Sequence, residues 1–430
     1  MVEQTIGEEN FMNIGYACLV IGVPYTDQKS CILKNASEEK LIELISYNLN
    51  SLENIIDYNI KNNIKLFRIS SGIIPFGSSS VNKVKWWDIF APQFFQIGQK
   101  IKNSGMRVSM HPGQYTVLNS PNQDVVDRAV DDLRYHNQVL DSFGVGEEHK
   151  IILHIGGIYN NKEEAIKRFI KNYIELDDLI KQRVVIENDD KSYNINDVLK
   201  ISKILDVPVV YDNLHNQINS YDSNKNDYYW IDECRKTWQE KDGCQKVHYS
   251  QQNFLKKPGS HSESIRINEF INFYKGLERE DLDIMLEVKD KNLSAIKCIN
   301  CTTIHQSIKN LEMEWSRYKY KILENSPVHY TEIRKLLVDK KSYQAIPFYN
   351  LIEKGLERES TIGNSINAAL HIWGYFKDIA LDKEKESFLN KIENYKKGKI
   401  SLKTIKSSLW KMSVKYNQSY LLNSYYFTID

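Results

Sequence analysis

One pattern repeats through the first two-thirds of the chain: a short apolar run, a polar turn, then a stretch with helical periodicity. The runs are Asn13–Leu19, Lys65–Ser70, Arg107–His111, Lys150–Ile155, Val184–Asn188, Val207–Asp212, Lys246–Ser250 and Asp283–Val288. Each is nearly all apolar and bounded by polar residues, Gly or Pro, as in a parallel strand buried on both faces. Between two of them, Ile166, Ile170, Tyr173 and Ile180 share one helical face, widened by Phe169 and Leu176. Asn161, with Glu164 three residues on, marks that helix's start. Eight strand–helix units in about 290 residues predict an α/β chain of the (β/α)8 TIM-barrel type. A doubly wound open sheet is the alternative. Neither GxGxxG nor GxxxxGK[ST] occurs, so a nucleotide-binding reading of that kind has no support.

The strand pattern stops near Leu311. Segments 315–325, 329–358, 362–380, 383–396 and 401–416 read as helices broken by Pro327, Gly363 and Gly398. The expected organisation is an extension over residues 1–12, a barrel catalytic domain over 13–305 and an all-α domain over 314–430. Charge divides at the same place. Residues 315–430 carry 20 Lys+Arg against 12 Asp+Glu, a net of +8, while the whole chain is only +1, leaving −7 for the remainder. The total excludes a polyanion-binding tail but not a local basic surface. No apolar run reaches the length of a membrane span, and the opening MVEQTIGEEN lacks a basic-then-apolar signal. Six cysteines in 430 residues are too sparse for a disulfide scaffold. A reducing cytoplasm is the expected location.

In a barrel of this type, chemistry sits at the C-terminal ends of the strands. The third run ends in His111, the fourth in His154 and the fifth in Glu187. The sixth gives Asp212 and His215. The seventh gives Lys246 and His248, with His261 thirteen residues later, and the eighth gives Glu287. One strand-end histidine is usually structural. Three carboxylates and five imidazoles converging on one rim repel or stay unsatisfied without cations. The donors are nitrogen and oxygen with no thiolate, which suits Mn2+, Zn2+ or Fe2+. Eight ligands suit two or three ions sharing a carboxylate, with Glu187 as the central bridge. Clustered divalent ions are a standard means of hydrolysing phosphodiesters.

These residues carry a resemblance. Tyr16 in IGYAC, SSGIIP at 70–75, HPGQY at 111–115, the HIGG, ENDDK and YDNLH strand ends, KVH at 246–248 and Glu287 resemble the UV damage endonucleases. These are relatives of endonuclease IV among the xylose-isomerase-like barrels. The resemblance spans about residues 13 to 300 in family order. It implies three metal ions, Mn2+ foremost, and incision of double-stranded DNA on the 5′ side of a UV photoproduct. By analogy His111, His154 and Glu187 hold one ion, and Glu187, Asp212, His248 and Glu287 a second. His215 and His261 hold the third, to which Glu263 is a candidate addition. Lys246 matches a lysine beside the metals that can be carboxylated. Gln114 and Tyr115 match a pair that probes the helix at the lesion, as an amide and a ring can fill the space left by extruded bases. Tyr16 resembles another lesion-facing aromatic. Two positions depart from the family: Ser79 stands where members carry a histidine, and Val20 where they tend to carry asparagine.

Residues 315–430 resemble the YbgA-like domain of unknown function, through HIWGYFK, YLLN and neighbouring motifs in order. Its charge and the interleaved Tyr318, Tyr320, Tyr375, Phe376 and Tyr395 are compatible with a nucleic-acid partner. A protein partner fits the same residues. Competing readings for the barrel are an abasic-site endonuclease, a metal-dependent sugar isomerase or epimerase, and a DNA-binding protein without activity.

Overall fold

The computed structural model describes residues 12–429. The extension expected over residues 1–12 therefore lies, Met12 apart, outside the described residues. The chain divides into two units. One comprises the chain up to Val20, Tyr25–Ile265 and Phe273–Ile296. The other comprises Ile21–Pro24, Arg266–Asn272 and Lys297 onward.

The first unit is a closed barrel of eight parallel strands in sequence order. They are β1 (Ile14–Ala17), β2 (Leu66–Ile69), β3 (Arg107–Met110), β4 (Ile151–His154), β5 (Val184–Glu187), β6 (Val209–Asp212), β7 (Gln245–Tyr249) and β8 (Leu282–Leu286). The first six lie inside their apolar runs, and β7 and β8 begin one residue before theirs. The strands are buried almost throughout, because helices cover the outside and side chains fill the inside. Closure needs β1 and β2 to approach closely. A Cβ on Gly15 would stand 2.0 Å from the Leu66 carbonyl oxygen, so only glycine fits there.

Side chains alternate between the interior and the helical layer. Ile152, Val185 and Val210 form an apolar interior cluster beneath His154, Glu187 and Asp212. Below it the floor is closed by charge and one indole. Trp238 packs on that cluster, and the Arg107 guanidinium lies 5.5 Å from its ring. Arg107 also bonds Asp283 Oδ2 at 2.8 Å and the Asp242 carbonyl at 2.7 Å, while Lys150 bonds Asp242 Oδ1 at 2.5 Å.

The outer helix Lys162–Ile174 starts where expected, with Asn161 Oδ1 accepting from the Glu164 amide at 3.2 Å. Its buried face is Ala165, Phe169 and Tyr173, so the stripe is centred one position away from Ile166 and Ile170.

The second unit is helical: Ile308–Asn325, Pro327–Leu336, Ala345–Leu356, Ile362–Trp373, Asp382–Lys396 and Leu402–Lys415 are its main helices. The segment expected as one helix over 329–358 is two. Pro327 begins a helix instead of breaking one, because the first turn has no use for its missing N–H. Gly363 sits inside a first turn, capped by Thr361 accepting from the Asn364 amide at 3.1 Å. The core gathers Ile372, Phe376, Phe388, Ile405, Leu409 and Tyr426. Within it the Trp373 ring stacks on Phe388 at 4.3 Å.

Candidate metal centre

Glu187 ends β5 at the centre of the barrel mouth and is fully buried. Its Oε2 stands 3.1 Å from His111 Nε2 and 3.5 Å from His154 Nε2. Its Oε1 stands 2.7 Å from His248 Nδ1 and 3.8 Å from His215 Nδ1. Four imidazoles therefore meet on one carboxylate: His154 and His248 from β4 and β7, His111 just after β3, and His215 from the helix Asn213–Ile218 after β6. Glu287 continues the chain of contacts, 3.4 Å from His248 Nδ1 and 3.7 Å from His261 Nε2. Asp212 lies 3.8 Å from His215. Three overlapping groups have ligand atoms within 4.8 Å of one another: His111, Glu187 and His248; Glu187, Asp212 and His215; Asp212, His248 and Glu287. His154 and His261 lie beside these groups and outside them.

The ring nitrogens are oriented by their neighbours. His215 Nδ1 faces the Asn188 carbonyl at 2.9 Å, and His111 Nδ1 faces that of Pro112 at 3.1 Å. Each of these rings is thereby left with Nε2 as its ligand atom. Asn188 also clamps β6 through Asp212, accepting from its amide at 2.9 Å and donating to its carbonyl at 3.0 Å. The loop after β3 is held from behind. Ser71 Oγ bonds the His111 carbonyl at 2.8 Å, and His136 Nε2 bonds that hydroxyl at 2.9 Å.

The electrostatics are those of an uncompensated ligand set. Burial works against the charge of Glu187, but His248 and His154 outweigh it and hold the carboxyl well below its usual range. Burial raises Asp212, against the pull of His215. His154 is pushed down to about 4, chiefly by desolvation. Burial lowers His215 too, but Asp212 and Glu187 reverse the sign and raise it to about 9. Three buried atoms in the cluster have no hydrogen-bond partner: His248 Nε2, His154 Nδ1 and Asp212 Oδ2. Lone pairs buried without a donor are costly unless a cation shares them. Nitrogen and carboxylate donors so arranged fit divalent ions of the Mn2+, Zn2+ and Fe2+ class.

Arg68 on β2 was not legible as part of this site. Its guanidinium bonds Glu287 Oε1, and that pairing, working against burial, raises its pKa. An arginine inside a short apolar run was the available signal, since a doubly buried strand holds a charge only for a partner. Lys246 lies two residues before His248 on the same interior row. It is fully buried, and its Nζ has no hydrogen-bond partner. Burial first, and then Arg107, push its pKa well down.

Two expected site residues are placed elsewhere. Tyr16 does not face the mouth: it pairs with Phe67 across β1 and β2, while Ala17 pairs with the inward Arg68. Alternation therefore turns Tyr16 outward, where its hydroxyl donates to Asn59 Oδ1 at 2.7 Å. Glu263 is in none of the three ligand groups and pairs with Lys256 at 2.8 Å, with its side chain 65% exposed. Ser79 has a local role: its hydroxyl accepts from the Val81 amide at 3.3 Å within a turn.

Gln114 and Tyr115 stand on the rim after β3, with Tyr115 83% exposed. They line a cleft of about 780 Å3 that also reaches His154, His215, Asp189 and Arg128. Across the mouth, the loop after β7 folds as a hairpin, with a Gln252–His261 bridge at its base. Its tip carries Phe254 and Leu255, 78% and 97% exposed, followed by Lys256 and Lys257.

Known proteins resemble both parts of the chain. The family described as UV-endonuclease UvdE matches residues 14–319, and that described as protein of unknown function DUF1722 matches residues 319–429. A relative from Clostridium perfringens (strain 13 / Type A), called UV DNA damage endonuclease, is 42% identical over 91% of this chain and 95% of its own. One of the same name from Bacillus cereus (strain G9842) is 32% identical over 66% of this chain and 90% of its own. The solved structure of SacUVDE superposes with a TM-score of 0.64 at 39% identity, covering 67% of this chain and 97% of that one.

Proposed function

The chain belongs to the UV-endonuclease UvdE family, and from that membership we propose that it is a metal-dependent DNA repair endonuclease. It hydrolyses a phosphodiester of the damaged strand on the 5′ side of a UV photoproduct. The observation that carries the reading is the convergence of four imidazoles on Glu187, beside an exposed Gln114–Tyr115 rim.

The residues divide the work. His111, His154 and Glu187 hold one ion, Glu187, Asp212, His248 and Glu287 a second, and His215 with His261 a third. Mn2+ is the preferred ion, with Zn2+ and Fe2+ accepted by the same donors. Bound there, divalent cations lower the pKa of water and neutralise charge on the phosphate. Glu187 fixes four ligand rings relative to one another. Arg68 keeps Glu287 ionised and aimed at the mouth. Gln114 and Tyr115 occupy the space left by extruded bases, and a damaged step selects itself because it costs less to unstack. Burial pushes the Lys246 amine down, toward the neutral form that a carbamate-forming reaction with CO2 would require. Such a reaction would release a proton and leave an anion beneath the clustered imidazoles and carboxylates.

Catalysis is assigned to residues 13–305. Residues 314–430 are a basic helical domain with a nucleic-acid or protein partner of its own. A DNA substrate assigns the protein to the cytoplasm, at the nucleoid. Among the described residues no helix is long and apolar enough to cross a membrane.

The test is incision of a duplex bearing one defined photodimer, with Mn2+ and with chelator. A single cut 5′ to the lesion, abolished by chelator and absent from undamaged duplex, is expected. Equal cutting of damaged and undamaged DNA overturns lesion specificity. Cutting of an abasic duplex alone points to the abasic-site reading. Full activity in chelator overturns the metal centre.

A further inference from the structure

The helical unit has a cleft of its own, of about 510 Å3, within the roughly 300–1,000 Å3 range of small-ligand sites. Its wall is one face of the helix Leu402–Lys415. Lys403, Lys406, Trp410 and Lys411 follow at helical spacing, while Ile405, Leu409 and Met412 on the other side enter the core. Lys321, from the helix Ile308–Asn325, and Phe427 complete it.

Two features set this cleft apart from a solvated lysine face. The first is a charged floor. Glu324 is 1% exposed and accepts from Lys321 Nζ at 3.0 Å and from Lys406 Nζ at 2.9 Å, both on Oε1. Lys406 also lies 4.5 Å from the Tyr426 ring, so its ammonium is held from two sides. Four lysines against one glutamate leave a net formal charge of +3 on the lining. Lys321 and Glu324 are buried and Lys406 half-buried, so two cations share one acid there, while Lys403 and Lys411 stand exposed at the rim. The second feature is an aromatic wall: Trp410 and Phe427 meet edge to face at 5.3 Å. Trp410 is only half-buried and presents a ring beside the lysines.

We propose that this cleft of the helical unit binds a nucleotide, with phosphate on Lys403, Lys406 and Lys411 and the base against Trp410. Ammonium groups match phosphate as point charges, and a ring face is indifferent to which base it meets. A phosphate next to a planar ring occurs in free mononucleotides and in single-stranded nucleic acid, and the assay separates these sources. The site is independent of the barrel mouth, so its failure leaves the endonuclease reading intact.

The experiment uses the full chain. Binding of AMP, inorganic phosphate and a fluorescein-labelled single-stranded oligonucleotide is measured by calorimetry or anisotropy at several salt concentrations. Wild type is expected to bind AMP or the oligonucleotide at least tenfold more tightly than phosphate. A tighter single strand identifies the polymer as the source, and equal or tighter AMP identifies the free nucleotide. K403E/K411E, two exposed positions, should weaken binding at least tenfold and flatten its salt dependence. W410A should weaken AMP or oligonucleotide but not phosphate. Incision of photodimer duplex should be unchanged in both. No binding by wild type, equal binding of phosphate and AMP, or unaltered binding by K403E/K411E each overturns the proposal. If W410A does not fold, W410F, expected to retain binding, together with K403E/K411E still decides it.

Discussion

His248 faces Glu187 with Nδ1 at 2.7 Å and leaves Nε2 buried without a partner. Nδ1 also stands 3.4 Å from Glu287 Oε1, so it is the nitrogen that faces the clustered carboxylates, while Nε2 is buried away from them. A cation held among these carboxylates would take Nδ1 as its imidazole donor.

Glu187→Gln keeps the shape of the side chain and removes the charge shared by four imidazoles. Bound Mn2+, measured by elemental analysis after gel filtration, should fall to a minor fraction of wild type. Incision should fall by more than the ~10–100-fold typical of residues that only orient a ligand. Retention of wild-type metal content contradicts the central role of this carboxylate.

Arg68→Met removes the cation paired with buried Glu287. Leaving one member of a buried pair alone costs about 3–5 kcal/mol. Denaturant unfolding should show that loss in chelator, and Mn2+ should recover part of it, since an ion replaces the missing charge. A loss of equal size with and without Mn2+ means that the guanidinium acts only through packing.

Metal uptake should be linked to protons. His154, near 4, is already neutral at pH 7. His215, near 9, carries a proton that a metal must displace. Its folded pKa lies above its ordinary value, so competition from the proton is strong below pH 9 and vanishes above it. Mn2+ affinity should therefore rise from pH 6 to 9, by up to about tenfold per unit. Calorimetry in buffers of different ionisation heat should detect about one proton released per chain at pH 7, from His215. His215→Gln should remove that release.

Tyr115→Ala alters a side chain that is almost wholly exposed. Folding stability should change by no more than ~0.5 kcal/mol. Affinity for a photodimer duplex should fall by the ~1–3 kcal/mol of one base–aromatic stack. Binding to undamaged duplex should hardly change, and anisotropy titrations of both duplexes check the difference.

The barrel was legible because its strands are short, apolar on both faces and evenly spaced, and its clustered imidazoles and carboxylates because strand ends on one rim must converge. Glu187 was expected as the bridging carboxylate, and four imidazoles stand around it. What the sequence did not disclose is the direction of side chains. Tyr16 looks the same in a list of motifs whether it faces the mouth or the helices, and only its pairing with Phe67 and the inward turn of Arg68 decide the matter. Glu263 follows His261 by two residues, but after the strand has ended alternation no longer governs, and Lys256 captures it. Arg68 was passed over because a metal site is searched for anions and imidazoles, although a permanent cation is part of its charge balance.

The closed floor has a consequence for traffic. Trp238 and the Arg107–Asp283 and Lys150–Asp242 pairs stopper one end of the barrel. Ions held at the proposed centre would then leave by the rim on which Tyr115 and the Phe254 hairpin stand. A duplex lying across that rim would hold such ions until it leaves. Exchange of a labelled ion should stall while a duplex is bound and resume on release, which makes retention of metal a matter of timing as well as of affinity.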